Sequence, residues 1–476
     1  MDSADDASFV HLPDEMLRFV LQHFPASECA ARLGQLTLRG RKPISTPHYV
    51  VPTSRGVIPH LSHDNVQKHT KISAVYVPLE DFIEKSNAPV YNTPCTGKES
   101  RLRRYTGLPE PCLSILGPRR VPYIPCPAHN TNSSIAISTS VGFRFLDVDK
   151  YNEAINILRP DISISIADLI NTTNASVKRV EKSADRTHAW LRDFVEDNDG
   201  RDHQGPFFAS IPPVETELMS LYLSDLSDEY RSHISGLCLY SSSTVLSLPD
   251  ALRDTPKLCL ADPQTPQAVL AAIHAGVDML TVPFVTQLSE HGIAFSFTFP
   301  GVPERPNNDM HTHTHTHMPL GIDLWSTSHA TDLSPLSPNC TCYTCTRHHR
   351  AYVHHLLQAN EMLAWTLLQI HNFSVIDTFF AAIRASIERG TFSADVHTFS
   401  QSYESEMPAQ TGQGPRVRGY QMKSIGGGEP KKNPKAYGRL DDQMEKLRES
   451  ESGIATPEGK AEDLVEHGLA ERVERL

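Results

Sequence analysis

The sequence has no excess of positive charge. Its 44 lysines and arginines face 56 aspartates and glutamates, a formal net charge of −12. Bulk attraction to nucleic acid is therefore excluded, and any contact with RNA must rest on a local basic patch. A hydrophobic run fit to span a bilayer is missing too. The most apolar long stretch, residues 268–285, carries His274, Asp278 and Pro283 and reads as a buried segment of a soluble protein, in line with a mean hydropathy of −0.33. The opening residues, MDSADDASFV, hold neither a basic region nor an apolar stretch. This predicts no secretory signal or Arg-rich transit peptide, and residence in the cytosol or nucleus. No Gly-x-Gly-x-x-Gly follows a predicted strand, which weighs against a dinucleotide-binding fold. A disulfide framework is not indicated either: the nine cysteines are odd in number, and six stand singly, as small buried hydrophobes do.

What is present is a rhythm. The 476 residues are enough for one large core or two moderate ones. β-Rich runs occur at 47–52, 74–78, 135–139, 161–167, 207–211, 236–240, 257–260 and 277–282. They are near-continuously apolar, as suits strands covered on both faces. Helical patterns lie between several of them. The clearest covers 265–275, where Thr265 can cap the first turn, Pro266 fits the first helical position and Gly276 can close the end. Strand–helix alternation over roughly 250 residues predicts an α/β fold, a TIM-like (β/α)8 barrel, with an open doubly wound sheet as the alternative.

The rhythm stops near residue 300. Residues 1–300 are expected to form the main part of the barrel. Residues 301–400 are expected to supply an irregular connection and an inserted, metal-binding helical subdomain that completes it. Helical spacing covers 347–370, with a second candidate at 374–388. Residues 401–476 turn Gly-, Gln- and Ser-rich and then highly charged, which predicts a linker and a flexible tail. His311, His313, His315 and His317 alternate with threonine inside the irregular connection and read as a solvated repeat.

One cluster of cysteines is not scattered. Cys340, Cys342 and Cys345 lie within six residues, and several histidines follow. Three thiolates and one imidazole are the ligand set of a closed tetrahedral zinc site, which is structural because no position is left for water. An iron–sulfur centre, another metal, or three reduced core cysteines are the alternatives. For the fourth ligand, His371 competes with His348, His349, His354 and His355 on spacing alone.

Residues 340–372 read CTCYTCTRHHRAYVHHLLQANEMLAWTLLQIHN. This block resembles the zinc subdomain of tRNA-guanine transglycosylases, which exchange a guanine in tRNA for queuine or its precursor. That family has C-x-C-x-x-C, then R-A-Y-hydrophobic-H-H-L, then a His-Asn pair. Here these are Cys340, Cys342 and Cys345, then Arg350 to Leu356, then His371 and Asn372. The resemblance covers about residues 30–400. It implies His371 as the fourth ligand, one structural zinc ion and the (β/α)8 barrel.

The catalytic motifs depart from the family. Residues 276–286 match the segment that carries the nucleophilic aspartate, yet Thr281 stands at its position. A hydroxyl lacks the charge of a carboxylate and needs an activating base. Asp278 matches the preceding aspartate and takes a structural role. The D-S-G-G-F-Q motif is missing from residues 114–120, and the Gly-rich loop is reduced to residues 235–241, with Tyr240 where the family has glycine. Residues 46–60, 116–120 and 293–300 resemble the non-catalytic branch of the family instead. The resemblance therefore implies no catalytic residue in this chain and a heterodimer with a catalytic queuine tRNA-ribosyltransferase subunit, acting on tRNA. It also implies peripheral residence at the outer mitochondrial surface. Helix 347–370 becomes a candidate interface, with Tyr352 and Trp365 either as anchors or as core packing, and Arg347 and Arg350 either as phosphate contacts or as an ordinary solvated helix start. Two other readings stand beside it: an active transglycosylase whose nucleophile has moved to Asp168 or Asp278, and a zinc-stabilised scaffold for an unrelated partner.

Overall fold

The computed structural model describes residues 17–22, 29–84, 88–97, 99–126, 128–139, 142–170, 175–198, 205–301 and 317–415. The chain divides into two compact units, residues 1–429 and 430–476, and the second lies outside the described residues. So do His311, His313, His315 and the charged tail.

Eight strands close into a barrel in chain order: His48–Pro52, Ala74–Pro78, Leu113–Gly117, Ile162–Ile164, Phe207–Ile211, Gly236–Leu239, Lys257–Cys259 and Met279–Thr281. Every neighbour is parallel, and the eighth strand returns to the first through Met279 opposite His48. Seven of the expected runs are barrel strands; the run at 135–139 is not. Ser134–Thr139 pairs antiparallel with Gly142–Asp147 in a separate hairpin. The third barrel strand is Leu113–Gly117, buried throughout. Its LSILG is less β-branched than the SIAIST of the hairpin, so local propensity favours the wrong segment. Ring closure between the second and fourth strands decides otherwise.

Alternate residues face opposite sides of each strand. Val50, Tyr76, Ile115, Ile164, Phe208, Cys238, Leu258 and Met279 form one buried cluster with Phe19, Leu36 and Ile44. The last three belong to an antiparallel sheet, Leu17–Gln22, Leu33–Leu38 and Ile44–Thr46, which leads directly into the first barrel strand. Tyr49 and Val51 face outward, into the cluster shared with the helices.

The helix expected at 265–275 forms as Pro266–His274, with the Thr265 side chain accepting from Ala268 N and Gly276 at φ +99°. The stretch 347–370 is broken. Helices Tyr343–Arg347 and Arg350–Gln358 are followed by a reversal at Asn360, φ +54°. Then a single helix, Met362–Glu388, absorbs the second candidate. Spacing carried on through the break because Asn360 can adopt the left-handed conformation without a glycine. Phe373 and Phe380 of the long helix pack on Tyr49 of the first strand, with ring centroids 6.0 and 5.4 Å apart. The buried core thus runs unbroken across residue 300.

Ordered packing also continues beyond residue 401. After helix Phe392–Ser402, Tyr403 is buried and its hydroxyl accepts from Thr298 N. Thr411 donates to Asp323, and a Cβ on Gly412 would meet the Trp325 ring at 2.0 Å. Among the described residues, no helix is long and apolar enough to cross a membrane.

Candidate metal centre and a closed barrel mouth

The cysteine loop is shaped by its own ligands. Cys342 caps helix Tyr343–Arg347, its sulfur accepting from Cys345 N at 3.4 Å. That bond turns Cys345 back toward Cys342, and the left-handed Asn339 (φ +61°) brings Cys340 alongside. His371 enters from the long helix, fully buried. Its Nδ1 lies 3.7 Å from Cys340 Sγ, 3.6 Å from Cys342 Sγ and 3.3 Å from Cys345 Sγ. The four donor atoms lie within 4.8 Å of one another. A tetrahedron with metal–sulfur bonds of about 2.3 Å and a metal–nitrogen bond of about 2.0 Å has nitrogen–sulfur edges of roughly 3.5 Å, so the set could hold one metal ion.

The opposite ring nitrogen is engaged: Nε2 of His371 lies 2.8 Å from the Phe295 carbonyl. A neutral imidazole has one N–H, so donation there leaves Nδ1 bare toward the sulfurs. Contacts among the thiols push them apart. Hydrogen bonds from Cys342 and Cys345 hold Cys340 well below the usual thiol range, while the same cluster pushes Cys342 up. Burial works against the His371 cation, but Cys340 and Cys345 overcome it and raise the imidazole to about 9. These directions pair one negative sulfur, Cys340, with a positive imidazolium while Cys342 keeps its proton; a bound cation would displace the protons from Cys342 and from Nδ1 of His371.

Three of the four competing histidines have other tasks, and His355 is exposed. His354 Nδ1 pairs with the Leu324 carbonyl at 2.8 Å, His349 caps the backbone at Tyr352, and His348 stacks on the Tyr352 ring.

The barrel mouth, at the carboxyl ends of the strands, presents a different picture. Thr281 ends the eighth strand and is fully buried, its hydroxyl donating to the Ala261 carbonyl at 2.6 Å. Past the third strand comes Arg119, 4% exposed. Its guanidinium donates to the Ala136 carbonyl (2.8 Å) and Asn130 Oδ1 (3.2 Å) and lies over the Tyr123 ring at 5.0 Å. The Tyr76 hydroxyl donates to the Arg119 carbonyl. A Cβ at Gly117 would meet that hydroxyl at 2.2 Å, so this glycine makes room for a tyrosine. Tyr240 Oη lies 3.3 Å from Ser210 Oγ. Burial pushes Tyr76 and Tyr240 well above the ordinary phenol range, so both remain neutral. A cavity of about 250 Å³ survives beside them, lined among others by Thr53, Asp81, Arg120 and Tyr123, and Arg120 is itself paired to Asp81 at 2.6 Å.

Neither alternative nucleophile is free. Asp168 is fully buried and accepts from both terminal nitrogens of Arg179 (2.8 and 2.6 Å), from Arg186 (3.0 Å) and from Asn130 (2.6 Å). Asp278 precedes the eighth strand, at the opposite end of the barrel from the mouth. It is gripped by Arg32 at 2.8 and 2.6 Å and by the Lys257 backbone at 2.8 Å. The latter position favours a stabilising role in a barrel.

The expected surface residues divide. Trp365 is 3% exposed and donates to the Glu290 carbonyl, so it is core and not an interface anchor. Arg350 is folded inward onto the Pro335 and Leu336 carbonyls and Asp332. It clamps the loop before the cysteines and has no freedom for an external phosphate. Tyr352 is half-buried and Arg347 exposed. Sequence reading missed the exposed apolar groups here, Tyr343, Met362 and Leu363; of these Leu363 falls on the helical spacing shared with the buried Leu367 and Ile370. It also missed the buried Arg119, which lies in the stretch 114–120 where the family's D-S-G-G-F-Q motif is missing.

A family profile described as "Queuine tRNA-ribosyltransferase" matches residues 27–405. The chain is 34% identical to a Schizosaccharomyces pombe protein, across 88% of this chain and 92% of that one. It is 29% identical to a Xenopus tropicalis protein (76% and 95%) and 27% identical to a Homo sapiens protein (75% and 93%). All three relatives carry the name "Queuine tRNA-ribosyltransferase accessory subunit 2".

Proposed function

Because the chain belongs to the queuine tRNA-ribosyltransferase family, we propose that it is the non-catalytic subunit of a heterodimer. In that heterodimer a catalytic partner exchanges guanine for queuine at the anticodon wobble position of tRNA. Thr281 carries the reading. At the nucleophile position stands an uncharged hydroxyl already donating to the Ala261 carbonyl. Attack on an anomeric carbon and stabilisation of an oxocarbenium-like centre call for a carboxylate there. Neither Asp168 nor Asp278 favours the relocated-nucleophile reading, since both carboxylates are saturated by arginine.

Cys340, Cys342, Cys345 and His371 hold one zinc ion in this reading. Four protein donors leave no open position, so the ion supplies folding free energy and no metal-bound water. The exposed Tyr343, Met362 and Leu363 beside it face the catalytic partner, and exposed Arg347 is the phosphate contact. The name shared by the relatives supports an obligate partner. We place the protein in the cytosol, where tRNA is, with the outer mitochondrial surface as a peripheral location.

The test is labelled queuine incorporation into tRNA by this chain alone, the catalytic subunit alone, and the mixture. Activity confined to the mixture is expected, and Met362→Glu should weaken pairing at least about tenfold. Activity from this chain alone would replace the reading with the relocated nucleophile. Failure to bind either the subunit or tRNA would leave the scaffold.

A further inference from the structure

Asn372 follows His371 and is equally buried. Its Oδ1 accepts from Phe295 N at 2.8 Å, and its Nδ2 donates to the Ile293 carbonyl and to Ser289 Oγ, each at 2.9 Å. His371 meanwhile takes the Phe295 carbonyl. Two consecutive side chains of one helix therefore satisfy both backbone groups of a single residue. Strand Ile293–Phe295 pairs with Gly321–Asp323 along its other edge, so the edge facing the long helix would otherwise be buried with orphan polar groups.

We propose that Asn372 is a positioning residue for the metal centre, acting on His371 through Phe295. The inference rests on the metal reading above. The Phe295 carbonyl can assign the imidazole N–H to Nε2 only while it stays in place. Asn372 fixes it by gripping the strand at Ile293 and Phe295. It anchors that grip to helix Pro283–Glu290 through Ser289, whose hydroxyl donates in turn to the Val285 carbonyl. If the strand slides, Nδ1 is no longer the obligatory bare nitrogen, and the bond to the ion weakens with it. Gln369 is the natural comparison. It is fully buried on the same helix and donates to Thr286 on the same neighbouring helix at 2.7 Å, but no hydrogen bond links it to Phe295.

The experiment uses the full chain loaded with cobalt, reading its visible ligand-field spectrum and the rate of cobalt loss to a chelator. Asn372→Ala should lose cobalt about tenfold faster with an altered spectrum. Gln369→Ala, which also removes a buried hydrogen bond, should keep the native spectrum and rate. If Asn372→Ala does not fold, Ser289→Ala removes one anchor only and should speed cobalt loss by a smaller factor. Loss no faster than in Gln369→Ala, with an unchanged spectrum, overturns the proposal while leaving the metal reading intact. A native chain that takes up no cobalt overturns both.

Discussion

The metal centre and the barrel mouth are built from the same scaffold and differ in what their polar groups are free to do. At the metal centre three sulfurs and Nδ1 of His371 converge, while the neighbouring polar atoms hold them in place. At the mouth the polar groups hold one another. Thr281 donates to a carbonyl, Asp168 is saturated by two arginines, and Arg119 lies among neutral acceptors and Tyr123. A binding site needs donors aimed at a common empty point, and a reactive site needs a lone pair not already committed. The first condition survives here. The second is not met at Thr281, Asp168 or Asp278.

Three substitutions probe that contrast. Removing a ligand should have the largest effect. Cys345→Ser should abolish stoichiometric metal, because apparent zinc binding free energies of roughly 10–16 kcal/mol couple to local folding. Hydrogen exchange should then show residues 337–372 opening while the barrel strands stay protected; equal loss in both would erase the distinction between the two regions. Next comes Asp168→Asn. A buried carboxylate removed from two arginines leaves uncompensated charge and should cost about 3–5 kcal/mol in denaturant unfolding. Queuine incorporation by the heterodimer should persist at temperatures where the variant is folded. Abolished turnover with intact stability and pairing would instead make Asp168 a reacting group.

The smallest effect belongs to the packing between barrel and long helix. Asp377 accepts from the Tyr49 hydroxyl at 2.5 Å, and burial lifts its carboxyl to about 6 from 3.8. The folded state therefore favours the protonated form. Its contribution is full below about pH 4 and is lost as pH rises through 6. Asp377→Asn removes the titration, so relative to the native chain it should gain about 3 kcal/mol at pH 7.5 and well under about 1 kcal/mol at pH 4. A gain of equal size at both pH values would point to packing and not to charge.

Legibility followed the range of the interactions. The helix Pro266–His274 was readable because its cap, its first-turn proline and its closing glycine all lie within a dozen residues. Seven barrel strands were readable because covered strands are apolar whatever their neighbours. The strand Leu113–Gly117 was not, since its place is assigned by partners 39 residues before and 47 after, Ala74–Pro78 and Ile162–Ile164. Arg350 and the choice between surface and core for Trp365 were not readable for the same reason. Their residue types suit an exposed surface, and only the carbonyls of Pro335, Leu336 and Glu290 reveal that both point inward.

By itself, then, the sequence determined the chemistry on offer: three thiols in a short loop, a histidine one helix away and, by resemblance, a threonine where the family has a carboxylate. Those are properties of residue type and local spacing, and they survive without coordinates. Tertiary structure alone decided which groups remained available. Whether a buried donor or acceptor is free depends on what packs against it, and for Thr281, Asp168, Asp278 and Nδ1 of His371 those partners come from distant parts of the chain.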